Sequence, residues 1–216
     1  MARSLKVQSI RCLCGEVELA AAGAPTTTVV CYCDDCQAAA RQLEALPGAP
    51  PLLDRAGGTE FVVYRKDRVT VARGADRLRR TKLKEGSPTN RAVATCCNAP
   101  MLLDFDDSKW WVDIYRARYG SAAPPIEMRF CTKFKPPGAV VPGDVPVHPG
   151  YPFRLIRKQV VARLDPGRRE APITATERGR KSASRPEPFW GARAARRAGF
   201  GESAPVARFE GFEWFV

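Results

Sequence analysis

"VVCYCDDCQAA", residues 29–39, places Cys31, Cys33 and Cys36 within six positions. The β-branched run that enters it, "TTTVVCYC", predicts a strand carrying Cys31 and Cys33. The segment that leaves it, "CQAAARQLEAL", is rich in helix formers. Asp34 or Asp35 can cap that helix, and "PGAPP" at 47–51 must end it. Side chains alternate along a strand, so Cys31 and Cys33 project to one face. Cys36, in the first helical turn, joins them. Three converging thiols are a metal site, a redox pair with a neighbour, or half of a disulfide framework.

Working outward, the first ~120 residues read as short strands separated by turn signals. "KVQSIRCLC" and "GEVELAA" flank a turn at Gly15 and predict a hairpin. "EFVVYRKDRVTVARG", residues 60–74, shows two apolar runs around a polar turn and predicts a second hairpin, closed by Gly74. "RAVATCC" and "MLLDF" flank a tight "NAP" turn, and "WWVDIYRARY" has the alternation of a strand. The expected fold is mainly β with one short helix in the N-terminal half. "PPGAVVPGDVPVHPGYP", 136–152, is a loop leading to a second part. There "FRLIRKQVVARL", 153–164, has helical spacing, with Phe153, Ile156, Val160 and Leu164 on one face. Residues 165–187 have a composition expected to be mobile, and the C-terminal "ARFEGFEWFV" is aromatic enough to pack somewhere. The expected organisation is a zinc-bearing domain over 1–135 and a basic extension over 136–216.

The chain of 216 residues is long enough to bury a core without disulfides. "MARSLKVQSIRC" lacks the apolar core of a signal peptide, and no run reaches the ~18 apolar residues of a membrane span. The expectation is a cytoplasmic protein with no membrane partner, where clustered cysteines bind metal or do chemistry rather than form bridges. Net charge is +12, unevenly spread. Residues 151–216 hold 14 Lys+Arg against 7 Asp+Glu, whereas residues 1–150 hold 21 against 16. A basic balance permits nucleic-acid or anion binding without specifying it.

Seven of the eight cysteines fall into three clusters: Cys12-Leu-Cys14-Gly, Cys31-Tyr-Cys33-Asp-Asp-Cys36, and Cys96-Cys97-Asn-Ala-Pro. Cys131 stands alone and reads as a small buried hydrophobe. Zinc favours thiolates in a tetrahedron. Structural sites close with four protein ligands, and catalytic sites keep three and an open position. The spacing therefore points to one or two zinc ions. One site would pair Cys12 and Cys14 with Cys97, with Cys96 either beside it or facing the other cluster; the second would use Cys31, Cys33 and Cys36. Adjacent strand residues face opposite ways, so Cys96 and Cys97 need a bulge to share an ion. Tyr32 should point away from the thiols and pack. His148, the single histidine, sits in the Pro-rich loop as a structural or exposed residue.

These motifs, "CLCGEVEL", "CYCDDCQ" and "CCNAPML", resemble the glutathione-dependent formaldehyde-activating enzymes, whose domain is shared with centromere protein V. The family pattern is C-x-C-G, then C-H-C-x-x-C, then C-x-x-C-G-x-P, and the resemblance covers roughly residues 9–119. It implies a zinc fold of several coiled β-sheets. It places Cys12, Cys14 and Cys97 at structural-zinc positions and Cys31, Cys33 and Cys36 at the catalytic zinc. The implied activity is that of a carbon–sulfur lyase, joining formaldehyde to glutathione to give S-(hydroxymethyl)glutathione. The chain departs from the pattern in having Tyr32 for His, Ala94 for the first cysteine of the third motif and Asn98 for Gly.

Glutathione would bring two carboxylates, and Arg79, Arg80, Lys82 and Lys84 are the basic residues placed to hold them. The competing reading is a non-catalytic module with structural zinc. It would contact nucleic acid or an acidic partner through Arg193, Arg196 and Arg197, with Trp190 and Phe200 for stacking.

Overall fold

A computed structural model describes residues 5–164. The expected organisation of residues 165–216, including the aromatic C-terminus and Arg193, Arg196 and Arg197, lies outside the described residues.

Alternating side chains build two apolar faces on one sheet. Strand β4 (Thr59–Arg65) sends Val62 and Tyr64 to one side, Phe61 and Val63 to the other, and all four are buried. It is the third strand of a seven-stranded sheet. The others are β3 (Thr27–Cys31), β6 (Leu78–Thr81), β7 (Thr89–Ala94), β8 (Ala99–Phe105), β9 (Trp111–Tyr115) and β10 (Met128–Phe130). Their order is β10-β3-β4-β9-β8-β7-β6, antiparallel except where β10 pairs parallel with β3. A three-stranded sheet contains β1 (Val7–Arg11), β2 (Glu18–Ala22) and β5 (Val69–Arg73), in the order β1-β2-β5.

The two sheets enclose one core. Ile10, Val17, Leu19 and Ala21 pack against Val62, Met101, Leu102, Val112 and Ile114. On the opposite face of the larger sheet, Val29, Cys31, Phe61, Val63, Leu103 and Tyr115 pack with Ala40 and Leu43 of helix α1 (Asp34–Glu44) and with Leu155 of helix α2 (Phe153–Leu164). The result is mainly β, with the helices confined to one face. Each fully buried aliphatic side chain contributes roughly 2 kcal/mol, so this double-sided sheet is the rigid frame on which the cysteines are mounted.

The β1–β2 hairpin forms as expected, with Ile10 opposite Leu19. The second expected hairpin does not. β4 and β5 flank the polar "RKD" turn but pair with different partners, β4 with β3 and β9, β5 with β2. The 3₁₀ turn Lys66–Arg68 instead carries the chain from one sheet to the other. Gly74 closes this passage at φ 72, where a Cβ would lie 2.5 Å from the Glu16 carbonyl oxygen, so only glycine fits.

Helix α2 forms over the expected residues, yet its buried side chains are Leu155 and Ala162. Phe153, Ile156, Val160 and Leu164, expected as its buried face, are exposed. Polar anchors fix this rotation. Arg65 Nη1 donates to the Ala162 carbonyl at 2.9 Å, and Lys158 reaches Glu127. Residues 136–152 run back against β10, with a parallel bridge between Arg129 and Val147. Among the described residues no helix is long and apolar enough to cross a membrane.

Candidate metal centres

Two groups of sulfurs converge. Cys12, Cys14, Cys96 and Cys97 have all four Sγ atoms within 4.8 Å of one another, and so do Cys31, Cys33 and Cys36.

The four-thiol group joins the two sheets. Cys12 and Cys14 lie in the β1–β2 turn, where Gly15 takes φ 82. The backbone closes on itself there: Cys12 N–H donates to the Val17 carbonyl at 3.0 Å, and Val17 N–H donates to Cys12 Sγ at 3.2 Å. Cys96 and Cys97 occupy the β7–β8 turn rather than a strand, so strand alternation no longer separates them. Asn98 follows at φ 51, a left-handed conformation that asparagine tolerates better than most residues. It therefore performs the backbone role of the glycine that the resemblance expects there. Its side-chain amide donates to the Pro47 carbonyl at 2.9 Å. Both sulfurs then face Cys12 and Cys14, and Cys96 does not face the other group.

The sulfur separations fit a metal. Cys12–Cys14, Cys12–Cys96 and Cys14–Cys96 are 3.6, 3.8 and 3.3 Å. A tetrahedron with Zn–S bonds near ~2.3 Å has edges near ~3.8 Å.

The three-thiol group sits where β3 ends and α1 begins. Cys31 is the last strand residue, and Cys33, in extended conformation at φ −65 and ψ 153, is the helix N-cap. Neither Asp34 nor Asp35 caps the helix; both lie in its first turn. Asp35 pairs with Lys84 at 2.9 Å. The link between strand and helix is pinned by buried Gln37, whose amide donates to the carbonyls of Tyr32 and Phe134 at 2.6 and 2.7 Å. Cys31 is buried and Cys33 and Cys36 are half-buried, whereas Cys14 of the four-thiol group is exposed. Tyr32 points away from the thiols into a separate small cluster with Val30 and Ala56. It is fully buried, donates to Asp54 at 2.8 Å and accepts from Arg129 at 3.3 Å.

In each group one thiol yields its proton first. Hydrogen bonds from Cys31 and Cys36 draw Cys33 down to about 3. Cys31 is pushed well up, chiefly by hydrogen bonds to Cys131, Cys33 and Cys36. In the other group burial raises Cys12, but hydrogen bonds from Val17, Cys14, Cys97 and Cys96 outweigh it and leave the thiol at about 7. Burial, together with Cys14 and Cys12, pushes Cys96 up to about 12. Thiols that share protons in this way are the donor set a soft cation replaces them in.

Two arginines attend the groups, Arg91 buried and Arg118 half-buried. Arg91 on β7 acts on Cys33 and Cys36, and Arg118 acts on Cys97 and Cys12. Sequence reasoning placed neither. The four expected substrate residues have these surroundings. Arg80 pairs with Asp104 at 2.6 Å, Lys82 pairs with Asp106 at 2.6 Å, and Arg79 is exposed on β6. Lys84 pairs with Asp35 of the helix that follows the three thiols. Cys131 is buried as expected, but its thiol contacts Cys31. It sits at φ 59 just after β10, where Phe130 is in register with Cys31. His148 joins this corner through its backbone, donating to the Arg129 carbonyl and accepting from Thr132.

Residues 4–110 match a family of unknown function, DUF6151. No curated protein matches the chain. Among solved structures, a crystal structure of a Rhodobacter sphaeroides protein is similar at 16% identity and a TM-score of 0.39, covering 65% of this chain and 99% of that one. A likeness at that level carries no argument about fold or function. The matched family brings no assigned activity, so the resemblance to formaldehyde-activating enzymes rests on the three cysteine motifs.

Proposed function

We propose that the protein is a zinc-dependent enzyme that makes or breaks a carbon–sulfur bond in a small thiol or thiol–aldehyde adduct of the S-(hydroxymethyl)glutathione type. The observation that supports this reading is a group of three thiols separate from a group of four. Four sulfurs satisfy a zinc ion; three leave one position for another ligand. Both donor sets consist of thiols alone, which suits zinc among common cellular cations.

Zinc, when bound, deprotonates a coordinated thiol and leaves it nucleophilic at neutral pH. Cys31, Cys33 and Cys36 would hold the ion, and Gln37 would fix the strand–helix junction that aims them. Cys33 and Cys36, half-buried where Cys31 is buried, would mark the side on which the thiol carrier enters. Cys12, Cys14, Cys96 and Cys97 would hold a structural ion that ties the smaller sheet to the larger.

The test is exchange NMR on glutathione and formaldehyde, read against the uncatalysed exchange of the same mixture. Zinc-loaded protein should accelerate the exchange, and Cys31→Ser should remove the acceleration while the far-UV circular dichroism is retained. Equal exchange with wild type and Cys31→Ser would reject this substrate and leave the non-catalytic zinc module as the reading.

A further inference from the structure

Arg91 is 4% exposed. Of the other buried arginines, Arg65 and Arg129 each pair with an aspartate, Asp67 and Asp144, and Arg68 has no carboxylate partner among the described residues. Arg91 has no carboxylate partner among the described residues. Its Nη2 donates to the Asp35 carbonyl, in the first turn of α1, at 3.4 Å, and its guanidinium also bonds the Tyr115 hydroxyl. An unpaired buried guanidinium is costly unless an anion faces it. Asp35 lies between Cys33 and Cys36 in the first turn of α1, and the Arg91 charge acts on both thiols, which become anionic when they hold a metal. β7 holds it there: Arg91 pairs with Leu103 on the same sheet face as Val93, beneath the helix.

Charge then distinguishes the two centres. A divalent ion with four thiolates carries −2, and Arg118 beside the four-thiol group brings it to −1. A divalent ion with three thiolates carries −1, and Arg91 brings it to zero. The fourth position of the three-thiol centre thus lies near a cationic side chain with no net negative charge to offset it, which favours a negative ligand over a neutral one.

We propose that Arg91 is a positioning residue that sets the charge of the three-thiol centre so that its fourth position takes an anionic thiolate in preference to a neutral donor. This rests on the zinc reading above and deepens it: the substrate class is a thiol that binds as its thiolate.

The experiment uses the full chain loaded with cobalt(II), whose visible and near-ultraviolet bands report coordination. It is titrated separately with 2-mercaptoethanol, a thiolate donor, and imidazole, a neutral one. Wild type should bind mercaptoethanol with a new sulfur-to-cobalt band. Arg91→Leu should weaken mercaptoethanol at least tenfold and leave imidazole within about twofold, and Arg91→Lys should restore most of the thiol affinity. Equal thiol affinity in wild type and Arg91→Leu would overturn the proposal. So would a parallel loss of both ligands, or a wild-type spectrum that neither ligand changes. If Arg91→Leu loses the wild-type circular dichroism, Arg91→Gln against Arg91→Lys is judged by the same ratio. Failure of wild type to take up cobalt at Cys31, Cys33 and Cys36 would instead reject the metal reading itself.

Discussion

Asp113 occupies the middle of the larger sheet, opposite Val63 on β4 and Leu103 on β8. It has no hydrogen bond or ion pair among the described residues, and burial pushes its carboxyl up to about 7. The folded protein therefore holds this proton more tightly than the unfolded chain does. The sign follows: the contribution of Asp113 to stability is greatest below about pH 4, falls as pH rises to about 7, and is flat above that. Asp113→Asn should raise stability by about 2 kcal/mol at pH 8 and by almost nothing at pH 4; water reaches the residue, so the full linkage of a buried carboxylate is not expected. Urea denaturation at the two pH values checks this, and an equal effect at both would contradict it. Tyr32 gives a second test. Its hydroxyl is held by Asp54 and Arg129, and burial with Asp54 raises it to about 12. Tyr32→Phe should cost about 1–2 kcal/mol of stability and leave metal content unchanged, because the side chain faces away from the thiols. Lower metal content in Tyr32→Phe would place Tyr32 in the centre after all.

At the scale of elements, Leu155 and Ile156 in α2 are adjacent in sequence and opposite in environment. Leu155→Ala should cost about 2–3 kcal/mol, whereas Ile156→Ala and Val160→Ala should stay within about 0.5 kcal/mol. Thermal or urea unfolding of the three variants decides it, and a larger loss at Ile156 would restore the expected face. The error is instructive. Apolar spacing alone selects Phe153, Ile156, Val160 and Leu164, but the hydrogen bond from Arg65 to the Ala162 carbonyl comes from another element, and no local pattern shows it. The strand-to-helix passage at Cys31–Cys36 was legible because β-branched residues, helix formers and Pro47 follow one another in sequence. The passage from β4 to β5 was misread for a related reason. A polar turn between apolar runs signals a change of direction, and the partner of each run is set by sheets assembled from distant strands. Gly74→Ala, at the far end of β5, should cost about 2 kcal/mol or more, since the added carbon meets backbone rather than a movable side chain.

For the whole molecule, the mainly β class and both cysteine groups follow from short motifs whose members lie close in the chain. What the motifs could not supply was the charge around them. Arg91, on β7, bonds the first turn of α1 and acts on Cys33 and Cys36 from there, and Cys131 reaches Cys31 through the parallel β10–β3 pairing. Parallel pairing joins segments far apart in sequence, so a lone cysteine 100 positions away carried no signal. The four-thiol group clasps the β1–β2 turn to the β7–β8 turn, so metal at that group should stabilise the union of the sheets and metal at the three-thiol group should affect it less. The most direct measurement is zinc per chain, by elemental analysis of purified protein, in wild type and in Cys31→Ser/Cys33→Ser/Cys36→Ser. Two zinc ions in wild type and one in the variant, with the fold retained, is the result expected. No bound metal in wild type, or one ion in both proteins, would contradict a metal at the three-thiol centre.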